Sequence, residues 1–248
     1  MTASDKAFDG NANASITSCS LAGVLAGDAA NVHCAAAGPN TFSDANVGSN
    51  KTVTATNIGL NGGASGNYAL TSTSATTTAS ITGVSATIAL VNNTYLYDGV
   101  PHGASFVTNP ASLGVVATGT GASPQSAVGV YPVTGTINDP NYSGSTSGYL
   151  YINSTLTAYP RSAQVTLSWK PYPGASGYSA YMVASPTQPS LVTMLGGTLL
   201  PVINTTAQAT NLTNGTLYWF VVVPNFGGAP IPGANTPAVS AIPKSPTP

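Results

Sequence analysis

Two cysteines carry the most distinctive chemistry in the sequence. Cys19 and Cys34 are the only cysteines, lie 15 positions apart, and each falls in a segment that predicts a strand. In an exported protein such a pair favours a disulfide, and closing a loop of this size stabilises a fold by ~3 kcal/mol in the entropic account. Two buried free thiols are the alternative. A zinc site is not expected, because Cys19, Cys34 and His33 supply only three of the four ligands that structural zinc requires.

An oxygen-rich segment near the start invites comparison with calcium loops. In Asp9-Gly10-Asn11-Ala12-Asn13, side-chain oxygens recur at alternating positions, but the loop pattern also needs a Gly and a Glu where Ala14 and Ser20 stand. The other interpretation is a turn, in which the carboxylate accepts backbone N–H groups and the next residue, Gly, takes positive φ. We favour turns at Asp9-Gly10 and at Asp98-Gly99, and we expect no metal site.

The sequence does not supply the groups that common hydrolytic mechanisms need. Its six acidic residues are all Asp and lie singly along the chain, so no facing carboxylate pair for glycoside hydrolysis is evident. His33 lies in a predicted strand and His102 follows Pro101 in a predicted loop, which offers no clear base for a catalytic triad. We therefore expect no catalytic residues, no cofactor and no enzymatic activity.

Charge and hydropathy exclude several partners. Only 4% of residues are charged, the formal net charge is -1, and Arg161 is the only arginine, so no basic surface is available for nucleic acid. The longest apolar runs, such as residues 217–223, fall far short of the roughly 20 residues that a membrane-spanning helix requires. Neither nucleic-acid binding nor membrane insertion is expected.

Short alternating apolar segments divided by Gly and Asn dominate the chain, and they predict strands and turns with few helices. The 248 residues are enough for two or three small all-β domains. We predict an all-β fold of three tandem β-sandwich-like domains in an elongated arrangement.

The first module, residues 1–84, is predicted from four blocks in a fixed order. The blocks are Lys6 to Gly10, Leu21 to Asp28, Phe42 to Gly48 and Gly66 to Tyr68. Together they resemble the YDG repeat of large bacterial surface adhesins, although Phe8 stands where that family usually has Tyr. The resemblance implies an all-β repeat used in tandem on exported proteins, without known catalysis.

The second module, residues 85–154, repeats landmarks of the first. Tyr97-Asp98-Gly99 corresponds to Phe8-Asp9-Gly10, and Asn141-Tyr142 corresponds to Asn67-Tyr68. The two Asp residues are 89 positions apart but the two Asn residues only 74, which predicts a shorter loop or a missing strand in the second copy. This module resembles the mostly-β, glycine-rich (MBG-type) repeat found beside YDG repeats in those adhesins.

The third module, residues 155–243, begins with strong two-residue periodicity. Val165, Leu167 and Trp169 share one face of a predicted strand. With the apolar strand from Tyr218 onward, the module resembles a fibronectin type III domain, and the resemblance implies that Leu212 and Tyr218 form the Tyr corner of a sandwich. Residues 244–248 are expected to be a tail.

Two sets of residues are candidates for contact with sugars or for carrying them. Exposed aromatic rings can stack on sugars, and the candidates are Trp219, Tyr172 and Tyr142. Trp219 points to the outer face of its predicted strand, where packing against another module is the alternative. Sequons for glycosylation occur at Asn13, Asn50, Asn92, Asn141, Asn153, Asn204, Asn211 and Asn214. Glycans would protect sheet edges that have almost no charged residues.

Together these patterns predict a non-catalytic extracellular or cell-surface protein, with a stalk segment of a bacterial adhesin as the leading interpretation. A self-assembling subunit of an extracellular filament or coat is one alternative, motivated by the low charge and a mean hydropathy of +0.17. A carbohydrate-binding module is another. The expected partners are other copies of the chain, flanking adhesin domains, or host or surface glycans.

Overall fold

The computed structural model describes residues 1–227, 231 and 233–245. Within these residues the chain forms 24 strands, one α-helix and two single-turn 3-10 helices, at Ser65–Asn67 and Thr120–Ala122. The predicted all-β fold is confirmed.

The first eight strands lie in residues 2–82. They are β1 (Thr2–Ala3), β2 (Lys6–Ala7), β3 (Ile16–Ser18), β4 (His33–Ala36), β5 (Thr41–Phe42), β6 (Gly48–Ala55), β7 (Ile58–Asn61) and β8 (Ala75–Thr82). A four-stranded sheet has the order β2-β8-β6-β5, while β1-β3 and β4-β7 form two-stranded sheets. The buried core contains Phe42, Val53 and Ile81, and Phe8 packs against it.

The next eight strands lie in residues 84–153. They are β9 (Val84–Ser85), β10 (Thr87–Val91), β11 (Thr94–Leu96), β12 (Ser105–Asn109), β13 (Val115–Thr118), β14 (Gly129–Ile137), β15 (Tyr142–Ser143) and β16 (Ser145–Asn153). Their four-stranded sheet has the order β11-β16-β14-β13, and β10-β12 and β15-β9 are two-stranded.

The two four-stranded sheets have the same plan. In each, the short strand before the Asp-Gly turn lies beside the module's last strand, which lies beside the long strand before it. The short strand is parallel to the last one in both modules: Lys6 lies opposite Ile81 in the first, and Tyr95 lies opposite Ile152 in the second. The repeated sequence landmarks therefore reflect a repeated topology.

The strands β4 and β7 account for the greater length of the first module. They pair with each other antiparallel, from His33 opposite Asn61 to Ala36 opposite Ile58. The pair β10-β12 corresponds to β1-β3, but no pair in the described residues 86–153 corresponds to β4-β7. Residues 86–153 thus contain no equivalent of β4 or β7, which agrees with the prediction of a missing strand in the second copy. In the first module, the additional strand β4 carries Cys34.

The third module is a β-sandwich. Its elements are β17 (Leu156–Arg161), β18 (Gln164–Trp169), β19 (Gly177–Ala184), α1 (Leu191–Leu195), β20 (Thr198–Leu200), β21 (Val202–Ile203), β22 (Thr206–Thr210), β23 (Tyr218–Asn225) and β24 (Val239–Ala241). The sheets β17-β18-β22-β21 and β20-β19-β23-β24 share one buried core that includes Leu167, Phe220 and Val222. As the alternation predicts, Val165 and Trp169 face this core.

The chain divides into two compact units that differ from the three modules. One unit comprises residues 1–87, 108–115 and 136–144, and the other comprises residues 88–107, 116–135 and those from 145 onward. The segment that joins the first two modules lies in the first unit, and the segment that joins the last two lies in the second. The three module boundaries stay a prediction, and residues 246–248 of the predicted tail lie outside the described residues.

The core of the third module yields the first prediction. Phe220 is fully buried, so Phe220→Ala removes its ring contacts and leaves a cavity, which we expect to lower the free energy of unfolding by about 3–5 kcal/mol. The chain's two tryptophans, Trp169 and Trp219, both lie in this module, so their fluorescence during urea unfolding reports on it. Val192→Ala, at a side chain that is 83% exposed, is the control and should change stability by less than about 0.5 kcal/mol. Equal effects of the two substitutions would contradict the assigned core.

Candidate functional site at the Asp-Gly turns and module junctions

In the first Asp-Gly turn, the ammonium group of Lys6 is hydrogen-bonded to oxygen atoms of the turn. The Lys6 ammonium donates to Asp9 Oδ1 at 2.7 Å, to the Asn11 carbonyl oxygen at 2.7 Å and to Asn11 Oδ1 at 3.0 Å. Asp9 Oδ1 also accepts from the Asn11 N–H, and Gly10 adopts a φ of 80°. The hydrogen bond from Lys6 lowers the pKa of the Asp9 carboxyl from its ordinary value. Lys6 therefore occupies the oxygen cluster that resembles a calcium loop.

The second turn uses histidine where the first uses lysine. Asp98 Oδ1 accepts from the Val100 N–H at 2.8 Å, and His102 Nε2 lies 3.0 Å from both carboxylate oxygens. The bond from Val100, and next that from His102, lower the pKa of Asp98. The His102 ring stacks on Tyr95 with centroids 4.2 Å apart, and Gly99 adopts a φ of 83°. Both turns have the predicted conformation.

An asparagine side chain of the second module forms hydrogen bonds to the first module. Asn141 Oδ1 accepts from the Val47 N–H at 2.9 Å, and its Nδ2 donates to Asn46 Oδ1 at 3.3 Å. Beside it, β15 runs parallel to β9, so that Tyr142 lies opposite Val84. Strand β9 spans the boundary between the two modules, so the Asn-Tyr landmark of the second module is bonded to the chain segment that joins them.

A buried polar network holds the junction of the second and third modules. The Tyr172 hydroxyl donates to Asn153 Oδ1 at 3.2 Å and accepts from the Ser154 N–H at 3.0 Å. Asn153 Nδ2 donates to the Gly233 carbonyl oxygen at 3.0 Å, and Ser154 Oγ accepts from the Lys170 N–H at 2.8 Å. Burial raises the pKa of Tyr172 to about 12. Polar groups buried with partners in this way fix one arrangement, because losing a partner leaves the other group unsatisfied.

The two cysteines form the predicted disulfide. Cys19 and Cys34 are joined with their Cα atoms 5.6 Å apart, and the bond links the segment after β3 to β4. The enclosed loop has a further attachment, because the Tyr68 hydroxyl donates to Asp28 Oδ2 at 2.8 Å and accepts from the Leu25 N–H at 3.2 Å. The hydrogen bond to Asp28 raises the pKa of Tyr68.

The third module contains the geometry of a Tyr corner. Tyr218 is buried, and its hydroxyl accepts from the Thr213 N–H at 3.1 Å, next to the buried Leu212. The hydroxyl thus bonds back to the backbone a few residues upstream, which ties the crossover between β22 and β23 to the core.

Comparison with known families follows the same module pattern. Residues 1–78 match the model of the YDG domain, and residues 86–156 match the model of the MBG domain. The chain carries a YDG domain followed by an MBG domain. Each Asp-Gly turn lies near the start of its matched region, and the third module follows the MBG domain.

Two solved structures of multidomain fragments have low similarity to this chain. The FN1-FN3 domains of chicken CNTN1 are 15% identical with a TM-score of 0.31, over 63% of this chain and 54% of that one. Domains A168-A170 from titin are 13% identical with a TM-score of 0.27, over 79% of this chain and 75% of that one. This chain thus spans about half the length of the first structure. Among curated proteins, no sequence matches it.

The structure corrects the set of candidate sugar-stacking aromatics. Tyr172 is only 2% exposed, because its hydroxyl is part of the network between the MBG domain and the third module. Trp219 is half-buried on its strand, and its Nε1 is buried without a hydrogen-bond partner among the described residues. Tyr142 is half-buried, with its ring against Phe8 of the YDG domain. The three rings therefore do not form an exposed platform.

The sequons divide into exposed sites and structural ones. Asn153 is 7% exposed and both of its amide atoms are hydrogen-bonded, so the structure contradicts its assignment as a glycosylation site. Asn141 is half-buried and its amide atoms are also engaged. The exposed sequon residues are Asn13, Asn50, Asn92, Asn204, Asn211 and Asn214.

The described residues do not assemble a metal or membrane site. No group of three or more His, Cys, Asp or Glu side chains that could hold a metal ion occurs among them. Among the described residues, no helix has the length and apolar character that a membrane-spanning segment requires. His33 is exposed on β4 of the YDG domain, whereas His102 is hydrogen-bonded to Asp98 in the MBG domain. The two histidines therefore belong to different domains.

Sequence reasoning missed the residues that hold the junctions. Lys6 stands in the first YDG-like block without an assigned role, yet its position three residues before Asp9 is a signal that it completes the turn. Asn141 belongs to a repeated landmark, and that repetition could have indicated a structural role. For Asn153 and Tyr172 no local signal exists, since the network depends on residues distant in sequence.

The disulfide gives a prediction for the YDG domain. Replacing both cysteines, Cys19→Ser with Cys34→Ser, should lower the free energy of unfolding of this domain by ~3 kcal/mol, because the unfolded chain regains the entropy of the open loop. Urea unfolding followed by far-UV circular dichroism measures the change. Reductant should reproduce the loss in the unmodified protein and have no effect on the double variant. An unchanged unfolding midpoint would contradict a stabilising disulfide.

The turns predict a pH dependence of stability. The folded pKa values of Asp9 and Asp98 lie below the ordinary value of 3.8, so their stabilisation is complete above that pH and is lost as the pH falls through the lower folded values. Asp9→Asn should reduce the fall in the thermal midpoint between about pH 5 and about pH 2. Lys6→Met should reduce it similarly, because Lys6 is the main cause of the Asp9 shift. A pH profile identical to that of the unmodified chain in both variants would exclude this pair as a contributor.

Proposed function

We propose that this chain is a non-catalytic stalk segment of a bacterial surface adhesin, which holds a binding part away from the cell. The observation that carries the proposal is the tandem order of a YDG domain, an MBG domain and a β-sandwich, joined through hydrogen-bonded junctions. Tandem repeats in which each unit contacts its neighbours suit a mechanical spacer, because length increases with every unit added. The Cys19–Cys34 disulfide supports an extracellular location, where such bonds persist.

Labelling of intact cells tests the location that this function requires. Antibodies raised against the purified chain should label cells of the producing organism without permeabilisation, and mild external protease should remove the signal. A cytoplasmic protein serves as the control and should be labelled only after permeabilisation. Labelling of the chain only in permeabilised cells would contradict a surface stalk.

A specific observation supports a second function, self-assembly into an extracellular filament or coat. Residues 171–243 contain no charged residue, and strands β20 and β21 lie at the edges of their sheets. Leu199 and Ile203 on these strands are 62% and 73% exposed. Edge strands are normally protected by charged residues, which these two strands do not have, so this part of the sandwich is a candidate for pairing with another copy.

Light scattering over a concentration series, with negative-stain electron microscopy, separates the two functions. The stalk predicts a monomer at every concentration, whereas the filament predicts ordered polymers that form above a threshold. Leu199→Lys with Ile203→Lys places charges on the two edges and should abolish such polymers while leaving a monomeric stalk unchanged. Regular polymers that the charged variant cannot form would favour the second function and contradict the first.

A further inference from the structure

The parallel pairing of short and last strands determines where each Asp-Gly turn lies. Because β2 and β8 run in the same direction, their carboxyl ends meet at one end of the YDG sheet. The turn that follows β2 is therefore beside the chain as it leaves the domain, and the Phe8 N–H donates to the Thr82 carbonyl oxygen at 2.8 Å. In the MBG domain the Tyr97 N–H donates to the Asn153 carbonyl oxygen at 2.9 Å. Each turn is thus adjacent to the start of the next module.

The aromatic residue of the first turn contacts the module that follows. The Phe8 ring meets the Tyr142 ring edge-to-face, with centroids 5.4 Å apart and an angle of 80° between the planes. This geometry places the positive edge of one ring near the negative face of the other, which is a favourable arrangement. Phe8 also packs against the core of its own YDG domain, so its ring connects that core to the MBG domain.

The corresponding residue of the second turn has an equivalent position with a different partner. Tyr97 aligns with Phe8 in the repeated motif, and the Lys170 ammonium of the third module lies 3.7 Å from its ring centroid. A cation over an aromatic face is attracted by the ring's electrons. The Lys170 N–H donates to Ser154 Oγ, so the same residue is also bonded to the connecting segment.

We propose that the aromatic residue of each aromatic-Asp-Gly turn is the docking residue for the module that follows in the chain. Asp and Gly build the turn, and the turn presents the ring at the exit of its domain. The partner is a β-module that places an aromatic or cationic side chain against the ring. It also bonds the preceding module or the connecting segment through polar side chains: Asn141 accepts from the Val47 N–H of the YDG domain, and Tyr172 accepts from the Ser154 N–H of the segment before the third module. The motif thus couples consecutive modules, a role that holds whether the chain is a stalk or a filament subunit.

A double-mutant cycle in the full chain tests the first junction. Phe8→Leu and Tyr142→Leu keep apolar volume but remove the ring contact, and they are compared alone and together. The measurement is amide hydrogen exchange at Val84 and Ala86, whose N–H groups donate from the segment that joins the two modules to the Asn141 and Ser143 carbonyl oxygens. Each single variant should exchange there roughly five- to tenfold faster, and the double variant no faster than the faster single one. Tyr159→Leu, at an exposed tyrosine of β17, should leave these amides unchanged.

Two outcomes would overturn the proposal at this junction. One is a Phe8→Leu variant in which exchange increases only within β6 and β8, which would restrict the ring to the core of its own domain. The other is additive acceleration in the double variant, which would show that the rings act independently. At the second junction, Tyr97→Leu and Lys170→Met should each accelerate exchange at the Ser154 amide, and Lys244→Met is the matched control. Acceleration by Tyr97→Leu alone would exclude docking through Lys170.

Discussion

Parallel pairing of a short early strand with the last strand is the constraint on which both repeats depend. This pairing adds the segment that precedes the Asp-Gly turn to each four-stranded sheet as an edge strand. The segment is Lys6–Ala7 in the YDG domain and Thr94–Leu96 in the MBG domain. Because the paired strands point the same way, the turn and the chain's exit come to the same end of the sheet. An antiparallel pairing would have placed the turn at the opposite end, away from the next module. The position of the turn thus follows from the direction of one strand pair.

The chain has few charged residues, and the ion pairs that it forms lie in turns and loops. Only 4% of residues are charged; the carboxylates of Asp9 and Asp44 pair with Lys6 and Lys51, and that of Asp98 is hydrogen-bonded to His102. Exposed pairs of this kind stabilise a fold little in water, but here they order turns whose backbone N–H groups the same carboxylates accept. The few charges therefore determine local geometry. Neutral amides and hydroxyls, such as Asn141 and Tyr172, hold the junctions.

The features that sequence predicted correctly have local patterns. The Asp-Gly turns, the strand alternation of β18 and the pairing of Cys19 with Cys34 each follow from residue types at fixed short spacings. The burial of Asn153 and Tyr172 could not be predicted this way. Asn153 looks like any other sequon, and Tyr172 lies in a Pro-Gly turn that suggests exposure. Their burial depends on contact between residues 19 positions apart and on the loop at Gly233.

Each aromatic-Asp-Gly turn is bonded to the end of its domain where the next module begins, and residue-resolved amide hydrogen exchange of the unmodified chain can measure whether it is. The informative amides are those of Phe8 and Tyr97, whose N–H groups donate to Thr82 and Asn153. Because both N–H groups are hydrogen-bonded in this arrangement, we expect them to exchange as slowly as the amides of the long strands β6 and β14. Exchange of these two amides at the rate of unprotected loop amides, while β6 and β14 stay protected, would contradict it.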